Sequence, residues 1–132
     1  MSNLGEGITV VTGSSGLIGS ATVWAINNLN LTNIWSVDDF EAGSVKEKNL
    51  APLNFKDHLG VDEFRTLFRK GSSKLNEIRT VIHLGACSST TETDEDYLND
   101  NNFLYTKELC EWSLKNNVRF VYASSASTYG DG

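Results

Sequence analysis

One stretch constrains the fold more than any other: the run Gly7-Ile8-Thr9-Val10-Val11-Thr12-Gly13, followed at once by Ser14-Ser15-Gly16-Leu17-Ile18-Gly19. Its β-branched half predicts a short strand buried on both faces, as in a parallel sheet. From Leu17 to about Leu29 the pattern becomes helical, with Leu17, Ala21, Trp24, Ala25 and Leu29 able to share one face. Chemistry explains each glycine between the two elements. Gly13 permits the tight turn, Gly16 lets a pyrophosphate approach the backbone, and Gly19 allows close helix–strand packing. Free amides and the dipole at the helix start then favour an anionic phosphate. The spacing is Gly-x-x-Gly-x-x-Gly, which alone would also suit a plain tight turn. The context is more specific: a strand before, a helix after, and Asp38 about 20 residues beyond the last glycine. A carboxylate there can accept hydrogen bonds from an adenosine ribose.

The rest of the chain continues the alternation. Asn33 to Asp38 predicts a second strand, and Asp39 to Lys48 a polar surface loop with a helical turn. Leu53 to Phe55 supplies a short third strand. Val61 to Arg69 carries Val61, Phe64, Leu67 and Phe68 at helical spacing. Thr80 to Leu84 predicts a fourth strand, and Glu95 to Lys115 the longest helix, with Tyr97, Leu98, Phe103, Leu104, Leu109, Trp112 and Leu114 as core candidates. Trp24 also reads as core. Val118 to Ala123 is the fifth strand. Such alternation implies right-handed βαβ crossovers.

At 132 residues the chain holds one domain. Its net charge of −6 argues against nucleic acid and anionic membrane as partners. Cys87 and Cys110 show no metal-ligand spacing and read as free thiols. No metal site is expected. With neither a secretory pattern nor an apolar run of about 20 residues, the expected location is the cytoplasm.

Two later segments, His83-Leu84-Gly85-Ala86-Cys87-Ser88-Ser89-Thr90-Thr91-Glu92 and Tyr122-Ala123-Ser124-Ser125-Ala126-Ser127-Thr128-Tyr129-Gly130, join the glycine turn in a further pattern. Together they resemble the extended short-chain dehydrogenase/reductase family, which modifies nucleotide sugars. Gly85 departs from that family's usual His-x-Ala-Ala. The Gly85 to Glu92 run and Asp100-Asn101-Asn102 are most similar to its ADP-heptose 6-epimerase branch, of lipopolysaccharide metabolism. The implied fold is α/β: a Rossmann-type doubly wound parallel sheet truncated after about five strands, with residues 1–132 as an NAD(P)-binding domain and the substrate domain absent.

The resemblance also implies roles. Gly13, Gly16, Leu17, Ile18 and Gly19 match the phosphate turn. Asp38 and Asp39 match positions around the adenosine ribose, and Lys46 a lysine near the ribose phosphate. Leu84, Gly85, Ala86, Cys87 and Ser88 match the stretch beside the nicotinamide, and Asn101 an asparagine contacting the cofactor. Ser125 matches the catalytic serine. The implied cofactor is NADP, with NAD as the alternative, and the implied substrate a nucleotide sugar, ADP-heptose. A homo-oligomer is implied for the full-length protein. The implied reaction removes hydride from C6″ and returns it to the other face.

His83 reads instead as a satisfied, semi-buried histidine. The family's acid/base motif, Tyr-x-x-x-Lys, is absent: Tyr97, Tyr105, Tyr122 and Tyr129 are the only tyrosines, and none has lysine four residues on. In the family that motif follows the serine by more than the residues remaining here. The expectation is therefore a fragment of an enzyme, inactive alone. A non-catalytic NAD(P)-binding module is the alternative.

Overall fold

A computed structural model describes residues 6–84 and 103–122. Five parallel strands form one sheet in the order β3-β2-β1-β4-β5. The central strand, β1 (Ile8–Thr12), is buried at every position. It lies between β2 (Ile34–Val37) and β4 (Ile78–His83). The chain moves outward from β1 to β2 and β3 (Asp57–Leu59), then crosses over to β4 and β5 (Arg119–Tyr122). Strand order thus reverses at β1, and the crevice beyond the carboxyl ends of β1 and β4 is the usual ligand position in open α/β sheets. The doubly wound expectation holds.

Alternation along the strands feeds two cores. Val10, Val37 and Val81 pack with Phe64 and Phe68 of α3 (Val61–Lys70) and with Tyr105 and Leu109 of α4 (Tyr105–Lys115). Val11 and Ile34 face the other way, against Val23 and Ile26 of α1 (Leu17–Asn27). Successive side chains on a strand point to opposite faces, so adjacent valines serve both layers.

Three expectations are corrected. The face of α1 that meets the sheet is Gly19, Val23 and Ile26, whereas Leu17, Trp24 and Leu29 are exposed. Gly19 explains the choice. A Cβ there would stand 2.0 Å from the carbonyl oxygen of Gly13, so the helix approaches the turn through the one residue without a side chain. The third strand is Asp57–Leu59 rather than Leu53–Phe55, because β2 pairs Val37 with Leu59. Leu53 and Phe55 instead pack against the α1-side core, where Asn27 exchanges hydrogen bonds with both Asn54 backbone groups. On α4 the buried stripe is Tyr105, Leu109 and Ser113, while Phe103, Leu104 and Leu114 are exposed. Leu114 lies about 180° around the helix from Tyr105. Tyr97 and Leu98 lie outside the described residues.

The 39–48 loop ends in a short helix, α2 (Val45–Leu50), whose first turn is capped by Ser44 accepting from the Glu47 amide. Cys110 is a free, half-buried thiol; Cys87 lies outside the described residues. Among the described residues no helix is long and apolar enough to cross a membrane.

Candidate dinucleotide site

Where β1 ends, Gly13 takes a φ of 66°, the left-handed conformation that favours glycine, and its amide bonds the Val37 carbonyl at 2.8 Å. The Gly16 amide returns to the Gly13 carbonyl at 3.1 Å and closes the turn. Helix α1 then starts with Gly16 as N-cap, with no side-chain cap and no acidic residue in its first turn. First-turn amides have no acceptor within their own helix. The positive end of α1 therefore lacks internal compensation, as a site for an anion requires. A Cβ at Gly16 would meet only the Gly13 oxygen, at 3.5 Å, an ordinary contact. The fold has room for a side chain there. Leu17 and Ile18 are largely exposed, so the turn presents backbone.

At the end of β2, Asp38 turns toward this loop. Its Oδ2 accepts the Ser15 amide at 3.1 Å and also the Ser15 hydroxyl. Its Oδ1 accepts the Asp39 amide at 2.8 Å and lies 3.9 Å from Lys46 Nζ. Asn49, one helical turn beyond Lys46, donates to the Ser15 carbonyl at 2.9 Å. Ser14 Oγ is 2.6 Å from Ser36 Oγ, which in turn is 2.9 Å from His58 Nδ1. The sequence reading did not find Ser15, Asn49 or the Ser14–Ser36–His58 chain. The helical spacing of Lys46 and Asn49 is the available signal, but the expected loop with its helical turn ends at Lys48, before Asn49. Asp39, next to Asp38, accepts the Val61 amide on its Oδ1 at 3.1 Å, at the start of α3.

Across the crevice, the end of β4 is locked to β1. The Leu84 amide donates to Thr12 Oγ1 at 2.9 Å, and the same oxygen is 2.7 Å from His83 Nδ1. His83 Nε2 lies 2.9 Å from Thr106 Oγ1 on α4. The ring is fully buried, edge-on to Tyr105 and stacked with Phe120 and Tyr122. Desolvation pushes the His83 pKa down to about 4, so the imidazole is neutral near pH 7. It braces the strand end from which Leu84 leads toward Gly85, as the plain reading of this histidine expected.

The structure thus brings Gly13, Gly16, Leu17, Ile18, Gly19, Asp38 and Lys46 to one end of the sheet, with Leu84 on the neighbouring strand end. Gly85, Ala86, Cys87, Ser88, Asn101 and Ser125 lie outside the described residues.

Known proteins share both sequence and fold with this chain. The ADP-L-glycero-D-manno-heptose-6-epimerases of two Nitratidesulfovibrio vulgaris strains are each 42% identical over 123 residues, covering 93% of this chain and 38% of theirs. The chain therefore spans less than half the length of those curated relatives. The crystal structure of ADP-L-glycero-D-manno-heptose-6-epimerase from Helicobacter pylori superposes with a TM-score of 0.73 at 24% identity, covering 98% of this chain and 43% of that one, a likeness of fold. UDP-glucuronic acid 4-epimerase from Bacillus cereus, in complex with NAD, gives 0.72 at 25% identity, over 94% of this chain and 42% of that one. The NAD dependent epimerase/dehydratase family matches residues 9–132, from β1 onward, and the chain belongs to it.

Proposed function

We propose that this chain is the dinucleotide-binding part of a nucleotide-sugar epimerase that inverts C6″ of an ADP-heptose. The observation that carries the reading is the uncapped start of α1 beside Asp38, at the end of the sheet where strand order reverses. The substrate assignment is supported by the 42% identical relatives and the Gly85 to Glu92 run.

The glycine turn and the first amides of α1 hold the pyrophosphate, and Asp38 with Lys46 receives the adenosine ribose. Leu84 and the following Gly85, Ala86, Cys87 and Ser88 are assigned to the nicotinamide half, and Asn101 to a cofactor contact. The chemistry supplied by a bound nicotinamide is reversible hydride transfer. Ser125 donates a hydrogen bond to the reacting sugar oxygen and stabilises charge there. NADP is the proposed cofactor and NAD the alternative, since a carboxylate at Asp38 opposes a 2′-phosphate and the Lys46 ammonium offsets that charge.

The described tyrosines do not replace the missing Tyr-x-x-x-Lys. Burial raises the Tyr105 hydroxyl well above its ordinary value, the Arg65 charge opposing that rise, and the side chain is closed to the crevice. Tyr105 is thus not the acid/base, and with no Tyr-x-x-x-Lys in its 132 residues this chain alone is expected to convert no ADP-heptose.

The test uses the room at Gly16. Gly16→Val leaves the backbone unstrained, yet puts a branched side chain in the pyrophosphate's path. Calorimetric titration with NADP+ should show binding by the wild type and at least a tenfold loss in the variant. Equal affinities would misplace the site. For the substrate, the full-length protein should convert ADP-heptose to its C6″ epimer, resolved by chromatography. Conversion of a UDP-sugar instead would assign another reaction of the same family.

A further inference from the structure

Asp38 is loaded with donors before any ligand arrives. An ionised carboxylate offers about four acceptor positions. On Oδ2 both are taken by one residue, through the Ser15 amide and the Ser15 hydroxyl. On Oδ1 the Asp39 amide takes one, and the Lys46 ammonium stands over the other. Ser15 is itself fully buried and held from behind by Asn49 at its carbonyl. Its backbone, and with it the amide that Asp38 accepts, is fixed in a closed turn. The Asp38 side chain is only 12% exposed, so water does little to compete for these positions.

We infer that Ser15 is a specificity-determining residue of the dinucleotide site, its hydroxyl setting how much of Asp38 is available to the adenosine ribose. This rests on the dinucleotide reading above. A free aspartate at the end of a second strand favours NAD, because it accepts from the ribose hydroxyls and repels a 2′-phosphate. Occupying Oδ2 works against both effects. A ribose diol must displace the Ser15 hydroxyl to donate there, and a phosphate meets a carboxylate whose charge is already spread over several donors. Ser15 thereby moves the balance toward NADP.

The experiment is a double-mutant cycle read by binding alone. Dissociation constants for NAD+ and NADP+ are measured calorimetrically for the full chain as wild type, Ser15→Ala, Asp38→Asn and the double variant. Circular dichroism and thermal midpoints verify that each is folded. Ser15→Ala removes one hydroxyl and should tighten NAD+ relative to NADP+ by about fivefold, the scale of one hydrogen bond. In the Asp38→Asn background the same change should leave the ratio within about twofold, because the hydroxyl no longer controls a carboxylate. An unchanged ratio in Ser15→Ala, with both dinucleotides bound, overturns the role of Ser15 and leaves the proposed function standing. An equal shift in both backgrounds overturns it too, since the effect would not pass through Asp38. Failure of the wild type to bind either dinucleotide overturns this inference and the functional reading together.

Discussion

Helices α1 and α3 lie on opposite faces of one sheet and both begin at a glycine N-cap, yet only α3 is completed by the chain itself. The start of α3 receives Asp39 on the Val61 amide and carries Asp62 and Glu63 in its first turn. Arg69 and Lys70 occupy the last turn, and Gly71 closes the helix in the left-handed region. Gly60 itself offers no side-chain cap, but a remote carboxylate, first-turn acids, last-turn bases and a left-handed glycine satisfy both ends. Its buried face, Phe64 and Phe68, packs on the sheet, and Arg65 and Arg69 bridge to Glu108 on α4. Helix α1 has no side-chain cap, no acid at its start and no base at its end, and it exposes Leu17, Ile18 and Trp24. The difference separates scaffold from site: an end that the chain caps is spoken for, and an end left bare can hold something else.

Acid should cause a large change without any substitution, and should act on the α3–α4 face. His83 is neutral and buried on that side, with its pKa lowered to about 4 from an ordinary 6.5. Between those values the unfolded chain takes up a proton that the folded chain refuses. Stability therefore falls as pH drops from about 6.5 to 4, by about 3 kcal/mol in all. For Glu108, desolvation pushes the carboxyl up, but hydrogen bonds and charge from Arg69 and Arg65 outweigh it and leave the pKa below its usual value. Its contribution is present above the ordinary carboxylate range and is lost as pH falls through the folded value. Urea unfolding across pH should show both phases. His83→Gln should flatten the first and Glu108→Gln the second. An unchanged slope in His83→Gln would move the acid sensitivity elsewhere.

A smaller effect tests the α1 contact. Helix propensity alone says that alanine for glycine inside a helix gains about 1 kcal/mol. At Gly19 the added Cβ would lie 2.0 Å from the Gly13 oxygen and 2.7 Å from its carbonyl carbon, both backbone atoms. Overpacking of that kind costs about 1–3 kcal/mol, so Gly19→Ala should lower the urea midpoint. Thr66→Ala, on the exposed side of α3, should raise it by a few tenths of a kcal/mol. Opposite signs in the two helices would confirm that close approach governs one and propensity the other. A stabilised Gly19→Ala would break the comparison.

Legibility in the sequence followed the same division. Elements whose ends and faces are settled locally were readable: β1 from its β-branched run, and α3 from Phe64 and Phe68 at helical spacing. The glycine turn was readable from its spacing, and the fold itself demands glycine at Gly13, by its left-handed φ, and at Gly19, by close approach. Features decided by a distant partner were not. Two faces of α1 are apolar enough to be buried, and the contact of Gly19 with the turn decides between them. The place of β3 is set by pairing with β2, which no local pattern in Leu53 to Leu59 reveals. The Ser15–Asp38 pair joins residues from two different crossovers, so only the folded sheet shows it.

The smallest expected effect concerns the outer side of α1. Trp24 is 59% exposed on α1, and nearby Leu17, Ala21, Ala25 and Leu29 line an apolar groove against Ile82 of β4. Scattered exposed apolar residues are ordinary, but a contiguous patch promotes association. Trp24→Ser removes apolar area that folding does not bury, and its stability should stay within about 0.5 kcal/mol of wild type. Its concentration dependence should change more than its stability. Light scattering over a dilution series should show less self-association in the variant. The matching change on the other face, Phe64→Ser, buries an unpartnered hydroxyl in a fully closed core and should unfold the domain at ordinary temperature. If Trp24→Ser were as damaging as Phe64→Ser, the exposed face of α1 would belong to the core after all, and the two helices would not differ in the way their ends and surfaces indicate.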